Sequence, residues 1–469
     1  MKKNYPLLAI LALTLATRLV LAFGWHEVWW DSGIYIGMGK YIYSGGASGL
    51  WEHIRPPLLP IVLGLFWKVG LDPALFGRLL EIALMTGIVW LTYLLALQWW
   101  NEKTALVASL IVALSPIFYY LSFHQYTEIP STFLVLLALW FFAKEKYLWA
   151  GIGIGLAFLA KFPAALYLPI ILLTLAFSKK WKPALHATAG FAIIALPYFI
   201  WSSILYGNPF ATISAAQETI RRVLGCNVLR HMPWWQYAWW LAFSETKLHF
   251  LALPGIFALY KKWNKKHTLF VLSLAIPALY FTQLHCRDYR YLTLFLPFAA
   301  MLTALGIVWI YEQFKITKNS VFIILVIILG AFMLRTSMIY YYGQERQQPD
   351  AAAENYFSYL SNNPLAGEIW TANPIVAAYT DKRLEKIYYP LFDSEVSQDF
   401  TNYVSLHSEK IGAVLLDNCG GGIVCPPDEA KCITQTNTLI QTLDAQFVRV
   451  FDKQSNGCWY RIWTTSSQK

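Results

Sequence analysis

Apolar residues run in long unbroken blocks from residue 6 to residue 340, and then the blocks stop. A ~30 Å hydrocarbon core needs about 20 apolar residues in a helix to cross it. The pattern therefore predicts about eleven spans, at 6–24, 75–99, 104–122, 129–143, 147–160, 162–178, 184–205, 248–260, 267–284, 291–311 and 319–340. Lysine-rich connections follow alternate spans, at Lys144-Glu145-Lys146, Lys179-Lys180-Trp181-Lys182, Lys261–Lys266 and Lys315–Lys318. Cytoplasmic loops carry such excess positive charge. The N-terminus is thus expected inside and everything after residue 341 outside. The block Pro57–Gly70, of about 14 residues, is too short to span. Counting it would invert every later basic loop, so it reads as re-entrant or interfacial. The opening Met1-Lys2-Lys3 and its apolar run to Phe23 end without a small-residue cleavage site and read as a retained first span.

The tail changes period. A helix-like opening (Asp350–Leu360) gives way to strand-like runs at Ile411–Leu416 and Phe447–Phe451, separated by Gly, Pro and Asn. The expected architecture is a polytopic α-helical membrane region over 1–344 and a small external α/β or α+β domain over 345–469. Cys419, Cys425, Cys432 and Cys458 lack the paired C-x₂-C spacing of a zinc site. An external compartment favours two disulfides, and four cysteines allow three pairings.

Composition and charge agree with that division. The chain is 57% hydrophobic and 14% charged, against roughly 25% charged residues in a soluble domain. Residues 341–469 hold 10 Lys/Arg and 15 Asp/Glu, and the rest of the chain 27 and 12, so the membrane part is +15 and the tail −5. The basic residues are spread through short loops as orientation signals, which argues against a nucleic-acid partner. Most of the 21 Trp and 28 Tyr gather near span ends as an interfacial belt.

Sorting polar residues by side leaves Asp31, Tyr35, His53, Arg55, Arg78, Glu128, Lys161, His285, Arg287, Asp288 and Arg290 on the outer face. Ionisable groups near a bilayer are costly, so their convergence at one face marks a functional site. Asp31 opens a helix-like stretch, Ser32–Tyr43, and helix capping is an equal account of a lone Asp there. Glu128, before Ile129-Pro130, has the same alternative at its helix start. Arg55 before Pro56-Pro57, and Arg287 and Arg290 at a span start, offer the planar forks that suit phosphate. Snorkelling to lipid headgroups is the alternative for these and for Lys161. No Walker loop, dinucleotide fingerprint or His-rich metal motif occurs. No cofactor is implied, and a divalent metal is left open. A phosphate-bearing substrate at such a site is expected to arrive on a lipid.

The ordered series Asp31 with Tyr35, Arg55-Pro56-Pro57, Arg78, Leu114-Ser115-Pro116, Glu128-Ile129-Pro130, Ala160-Lys161-Phe162-Pro163 and Arg290-Tyr291-Leu292 with Pro297 resembles the C-fold glycosyltransferases. The likeness is to the branch of protein O-mannosyltransferases (dolichyl-phosphate-mannose-protein mannosyltransferases) and aminoarabinose transferases, and covers roughly residues 5–340. It implies inverting transfer of a sugar, a hexose by expectation, from a polyprenyl or dolichyl phosphate donor to a hydroxyl on a protein, lipid or glycan. It further implies Asp31 and Glu128 as catalytic carboxylates, and Tyr35, His53, Arg55, Arg78, Lys161, Arg287 and Arg290 as substrate-binding residues. Arg55 departs from the Lys or His of many relatives, and the cysteine-containing tail is not a mannosyltransferase repeat domain. A lipid or solute transporter is the rival reading. Transporters, however, place sites near the midplane, often with paired broken helices.

Overall fold

The computed structural model describes residues 5–24, 26, 28–222, 232–284, 287–314, 319–344, 351–363, 365–388, 392–419, 422–426 and 429–465. His285 and the loop 315–318 lie outside them. Helices α1 (Tyr5–Ala22), α2 (Trp30–Ser44), α3 (Leu58–Lys68), α4 (Pro73–Trp99), α5 (Glu102–Ala113), α6 (Pro116–Leu121), α7 (Glu128–Ala143) and α8 (Tyr147–Ala160) form the first half. There follow α9 (Tyr167–Phe177), α10 (Trp181–Tyr206), α11 (Ala211–Arg222), α12 (Gln236–Trp239), α13 (Ala252–Lys261), α14 (His267–Gln283), α15 (Leu296–Gln313) and α16 (Asn319–Gln344). Among the described residues, five helices are long and apolar enough to cross a bilayer: Tyr5–Ala22, Pro73–Trp99, Trp181–Tyr206, Leu296–Gln313 and Ser320–Gly343. Shorter apolar helices accompany them.

Several expected spans are broken, and each break has a local cause. The block 104–122 divides at Leu114-Ser115, where the Ser115 hydroxyl caps α6 and Pro116 opens it. The Ala113 carbonyl freed there accepts from the fully buried Arg18 guanidinium at 2.9 Å. Blocks 162–178 and 291–311 begin instead as 3₁₀ turns, Phe162–Leu166 and Tyr289–Leu294. These breaks lie beside Lys161 and at Arg290.

Close helix packing relies on glycine. A Cβ on Gly151 of α8 would meet the Ala187 carbonyl oxygen of α10 at 1.9 Å, and one on Gly190 the Leu148 oxygen at 2.1 Å. Small residues at such crossings let backbones touch where lipid offers no hydrophobic drive.

In the tail, α17 (Ala351–Asn362), α18 (Val376–Tyr379), α19 (Ser394–His407) and α20 (Ala430–Gln446) accompany five strands. These are β1 (Glu368–Thr371), β2 (Glu385–Lys386), β3 (Ile411–Asp417), β4 (Val448–Ser455) and β5 (Cys458–Thr464), ordered β2-β1-β3-β5-β4. The β1 pairings are parallel and those of β5 antiparallel. Strand β3 is buried along its whole length, as its apolar run requires of a central strand. The β4–β5 hairpin turns at Asn456-Gly457, both at positive φ, the signature of a type I′ turn. Cys419 pairs with Cys458 and Cys425 with Cys432, which settles the three-way choice.

The tail core is completed from outside the tail. Ile34, Met38 and Leu50 share one apolar cluster with Tyr356, Ile369, Val376, Leu415 and Ile462. The opposite side of α2 packs on α3, Tyr35 and Ile36 meeting Leu59 and Leu63. Helix α2 is therefore sandwiched, with Ser32–Lys40 buried.

Candidate active site

Asp31 occupies the first turn of α2. Trp29 is the N-cap and receives no side-chain cap bond, so capping does not account for Asp31. Its carboxylate is instead gripped from two sides. Arg55 Nη1 lies 2.9 Å from Oδ1 and Arg290 Nη1 lies 2.8 Å from Oδ2. Burial opposes ionisation, but the two guanidiniums outweigh it and hold the carboxyl well below the usual carboxylate range.

Each arginine is fixed by its own turn. Arg55 follows a bend in which its N–H donates to the Glu52 carbonyl at 3.3 Å, and Pro56 biases it toward extended backbone. Its Nε lies 3.4 Å from Glu52 Oε2, and its guanidinium stands 5.7 Å from the Tyr35 ring centre. Arg290 rides on the 3₁₀ turn capped by Asp288, whose carboxylate accepts the Arg290 N–H at 3.0 Å and pairs with its guanidinium at 3.3 Å. The guanidinium also stacks 4.7 Å over Tyr126. These contacts replace snorkelling to headgroups.

Glu128, first residue of α7, is buried and accepts from Lys161 Nζ at 2.8 Å. Lys161 stands in extended backbone at the end of α8, where the helix dipole favours a cation, and its ammonium lies 5.3 Å over Tyr291. Lys161 acts electrostatically on Asp31, and Glu128 on Arg290 and Tyr35, so the two ion pairs form one field. Asp31, Tyr35, Arg55, Glu128, Lys161 and Arg290 are thus brought together.

The other three expected site residues are engaged elsewhere. Arg78 donates to the carbonyls of Ala22 at 2.6 Å and Phe123 at 3.3 Å, tying α4 to α1. Arg287 donates to the carbonyls of Met232 and Thr282. The His53 ring lies 5.7 Å from that of Tyr206. Among the described residues no three His, Cys, Asp or Glu side chains gather as a metal ligand set. The Asp31 and Glu128 carboxylates point at cations instead.

Two members of the network were not legible. Glu52, 2% exposed, meets Lys386 Nζ from the tail at 3.5 Å. Burial lowers the Lys386 ammonium to about 8 against the raising effect of Glu52. Nothing in Asp381-Lys382-Arg383-Leu384-Glu385-Lys386 distinguishes one lysine from a solvated tail. Glu245 was also missed: it accepts from Ser115 Oγ at 2.6 Å and from Tyr289, joining the α5–α6 break to the Arg290 turn. With Glu52 and Lys386 the network holds Asp31, Glu52, Glu128 and Asp288 against Arg55, Lys161, Arg290 and Lys386. Balanced sign is what makes so much buried and part-buried charge tolerable.

Comparison with known proteins supports a common origin. Residues 54–201 match the family model described as dolichyl-phosphate-mannose-protein mannosyltransferase. An undecaprenyl phosphate-alpha-4-amino-4-deoxy-L-arabinose arabinosyl transferase of Pseudomonas fluorescens is 28% identical over 244 residues, 45% of this chain and 41% of that protein. An uncharacterised protein of Aquifex aeolicus is 26% identical over 62% of each chain. The matched stretches thus span about half the length of these relatives. Among solved structures, ArnT from Cupriavidus metallidurans bound to undecaprenyl phosphate superimposes with TM-score 0.65 at 12% identity, covering 98% of this chain and 99% of that one. AglB, the oligosaccharyltransferase of Archaeoglobus fulgidus, in complex with an inhibitory peptide and a dolichol-phosphate, gives 0.65 at 13% identity over 98% and 74%. Over residues 54–201 the chain is thus similar to the dolichyl-phosphate-mannose-protein mannosyltransferase family, and over nearly its whole length it shares the fold of ArnT and AglB.

Proposed function

We propose that the protein is a membrane glycosyltransferase that moves a sugar, with inversion, from a polyprenyl-phosphate donor to an acceptor hydroxyl at the non-cytoplasmic face. The observation that carries this reading is the Asp31 carboxylate held between Arg55 and Arg290. In this reading the chain crosses the bilayer about eleven times with its N-terminus inside. Residues 1–344 form the membrane region and the tail from 345 is external. The relatives named for undecaprenyl-phosphate sugar and dolichyl-phosphate-mannose substrates support a lipid-phosphate donor. The donor sugar is a hexose or a pentose, and the acceptor is a protein, a lipid or a glycan.

The chemistry follows from the residues. Asp31 takes the acceptor hydroxyl's proton as that oxygen forms its bond to the anomeric carbon. The bond from carbon to phosphate oxygen breaks through an oxocarbenium-like state, and its electron pair leaves with the phosphate. Arg55, Arg290 and Lys161 stabilise that departing charge, so no general acid is needed. A carboxylate held by two guanidiniums is a weak base. A donor phosphate that draws either guanidinium onto itself raises the basicity of Asp31, linking proton transfer to donor occupancy. Glu128 holds Lys161 through their ion pair.

The test is to incubate purified protein in vesicles with a panel of polyprenyl-phosphate hexoses and pentoses and candidate acceptors, with mass spectrometry of products. A glycosylated acceptor with free polyprenyl phosphate is the expected outcome. Movement of labelled lipid across the bilayer without any covalent product would overturn the reading in favour of transport.

A further inference from the structure

We infer that Lys386, contributed by the tail, is a positioning residue of this site, setting Arg55 against Asp31 through Glu52. The inference rests on the proposed transferase reading. Four side chains form an alternating line: Lys386 to Glu52 at 3.5 Å, Glu52 to Arg55 at 3.4 Å, and Arg55 to Asp31 at 2.9 Å. The lysine side chain is 1% exposed and that of Glu52 2%.

The backbone explains how a tail lysine reaches so far. Strand β2 is the edge of the tail sheet, Lys386 pairing with Thr371 of β1. Just before it, the loop after α2 is stitched to the tail: the Gly49 N–H donates to the Lys382 carbonyl at 2.9 Å and the Leu384 N–H to the Gly49 carbonyl at 2.8 Å. Lys40 of α2 adds a bond to the Thr380 carbonyl at 2.8 Å and an ion pair with Asp381 at 3.0 Å. The Lys386 ammonium then rests 4.4 Å over the ring of Trp30, the neighbour of Asp31.

The electrostatic consequence concerns Arg55. Glu52 and Asp31 are two carboxylates facing one guanidinium. While Lys386 shares the charge of Glu52, Arg55 keeps Nη1 on Asp31. Once the lysine is neutral, Glu52 is a buried anion with a single cationic partner and pulls Arg55 toward itself. The groups facing the lysine include Glu52, Arg55, Asp31, the Trp30 ring and the Tyr388 ring at 5.7 Å. Burial pushes the Tyr388 hydroxyl above its ordinary value, so it does not titrate near neutrality. Burial brings Lys386 to about 8, which predicts loss of donor affinity as pH rises through that value.

The test measures transfer kinetics of full-length protein in vesicles, varying the polyprenyl-phosphate sugar from pH 6.5 to 9.5. In Lys386→Met the donor KM is expected to rise about tenfold at pH 7 with kcat within threefold. The double variant Lys386→Met, Glu52→Gln should recover most of that loss, because the competing anion is gone. Lys386→Arg should move the alkaline limb upward by at least one pH unit. An unchanged donor KM in Lys386→Met, or no recovery in the double variant, would overturn the inference. If Lys386→Met fails to fold, the arginine variant decides: an alkaline limb in the wild-type position overturns it. Asp31→Asn in the same assay separates the two levels. Full activity there removes Asp31 as the base and no transfer by the wild type removes the transferase reading itself, whereas loss in Asp31→Asn with Lys386 silent removes only this inference.

Discussion

Asp31 is part-buried in the first turn of α2 and Asp417 fully buried in the tail core, and their surroundings push them in opposite directions. Asp31 faces two guanidiniums and stays ionised. Asp417 accepts from the Tyr356 hydroxyl at 3.2 Å, the Asn373 amide at 3.3 Å and the Cys419 N–H at 3.1 Å, all neutral donors. Burial outweighs these and brings it up to about 7. A part-buried acid among cations from separate elements is held ionised, whereas a buried one among neutral donors stitches a loop to a strand. The partners, not the burial, separate a site from a scaffold.

Removing the charge of Asp31 should give the largest effect. Loss of a general base typically costs ~10²–10⁴ in rate, and Asp31→Asn is expected to fall in that range. The protein should still insert and elute as one species, because the membrane helices pack through apolar and glycine contacts remote from it. Near-full transfer by Asp31→Asn in reconstituted vesicles would erase the contrast with Asp417.

The tail answers to stability, not rate. Cys419–Cys458 closes a separation of 39 residues and Cys425–Cys432 one of 7. Loop-entropy arguments put these at roughly 4 and roughly 2.5 kcal/mol. Serine replacement of the longer pair should therefore lower the thermal midpoint more than replacement of the shorter, with transfer at 20 °C little changed in both. Equal midpoints for the two variants would show that chain closure is not what these bridges contribute.

Arg290 and Arg287 sharpen the comparison within the membrane region. A charge-assisted hydrogen bond contributes about 1.5–3 kcal/mol, so Arg290→Ala should weaken binding of polyprenyl phosphate by roughly 10- to 150-fold. Arg287, turned toward the Met232 and Thr282 carbonyls, should change donor affinity far less when made Ala. Equal losses measured by calorimetry would place both arginines on the phosphate.

Much of this was legible because a bilayer makes polarity informative. Asp31, Glu128, Lys161 and Arg290 stand out among apolar blocks, and their order along the chain carried the family resemblance. Pairing was not legible: which acid meets which base depends on the breaks at Ser115-Pro116 and Phe162-Pro163, whose angles no periodicity encodes. Arg78 and Arg287 looked equivalent to Arg290, yet they donate to the backbone carbonyls of Ala22, Phe123, Met232 and Thr282. Lys386 was hidden most completely, since a charged tail residue ordinarily faces water, and only the docking of β2 on the α2 loop buries it. The tail's mixed α/β character followed from its strand-like runs. Its reliance on Ile34 and Met38 of α2 did not, because their spacing fits any amphipathic helix.

The smallest effect tests the other member of the opening pair. An acid whose native value lies above its unfolded one stabilises fully below the unfolded value and loses that contribution as pH rises through the native one. For Asp417 the window runs from about 3.8 to about 7, and the slope is on the order of 1 kcal/mol per pH unit. Asp31, displaced the other way, contributes above its ordinary value and loses that contribution only in stronger acid. Thermal unfolding of the wild type between pH 4.5 and 7 should therefore show the tail losing stability as pH rises. In Asp417→Asn that slope should vanish while transfer at pH 7 stays within threefold, because Asn keeps an acceptor for Tyr356 but has no proton to lose. An identical slope in both proteins would mean that Asp417 is ionised throughout, and the two aspartates would then differ in partners without differing in charge.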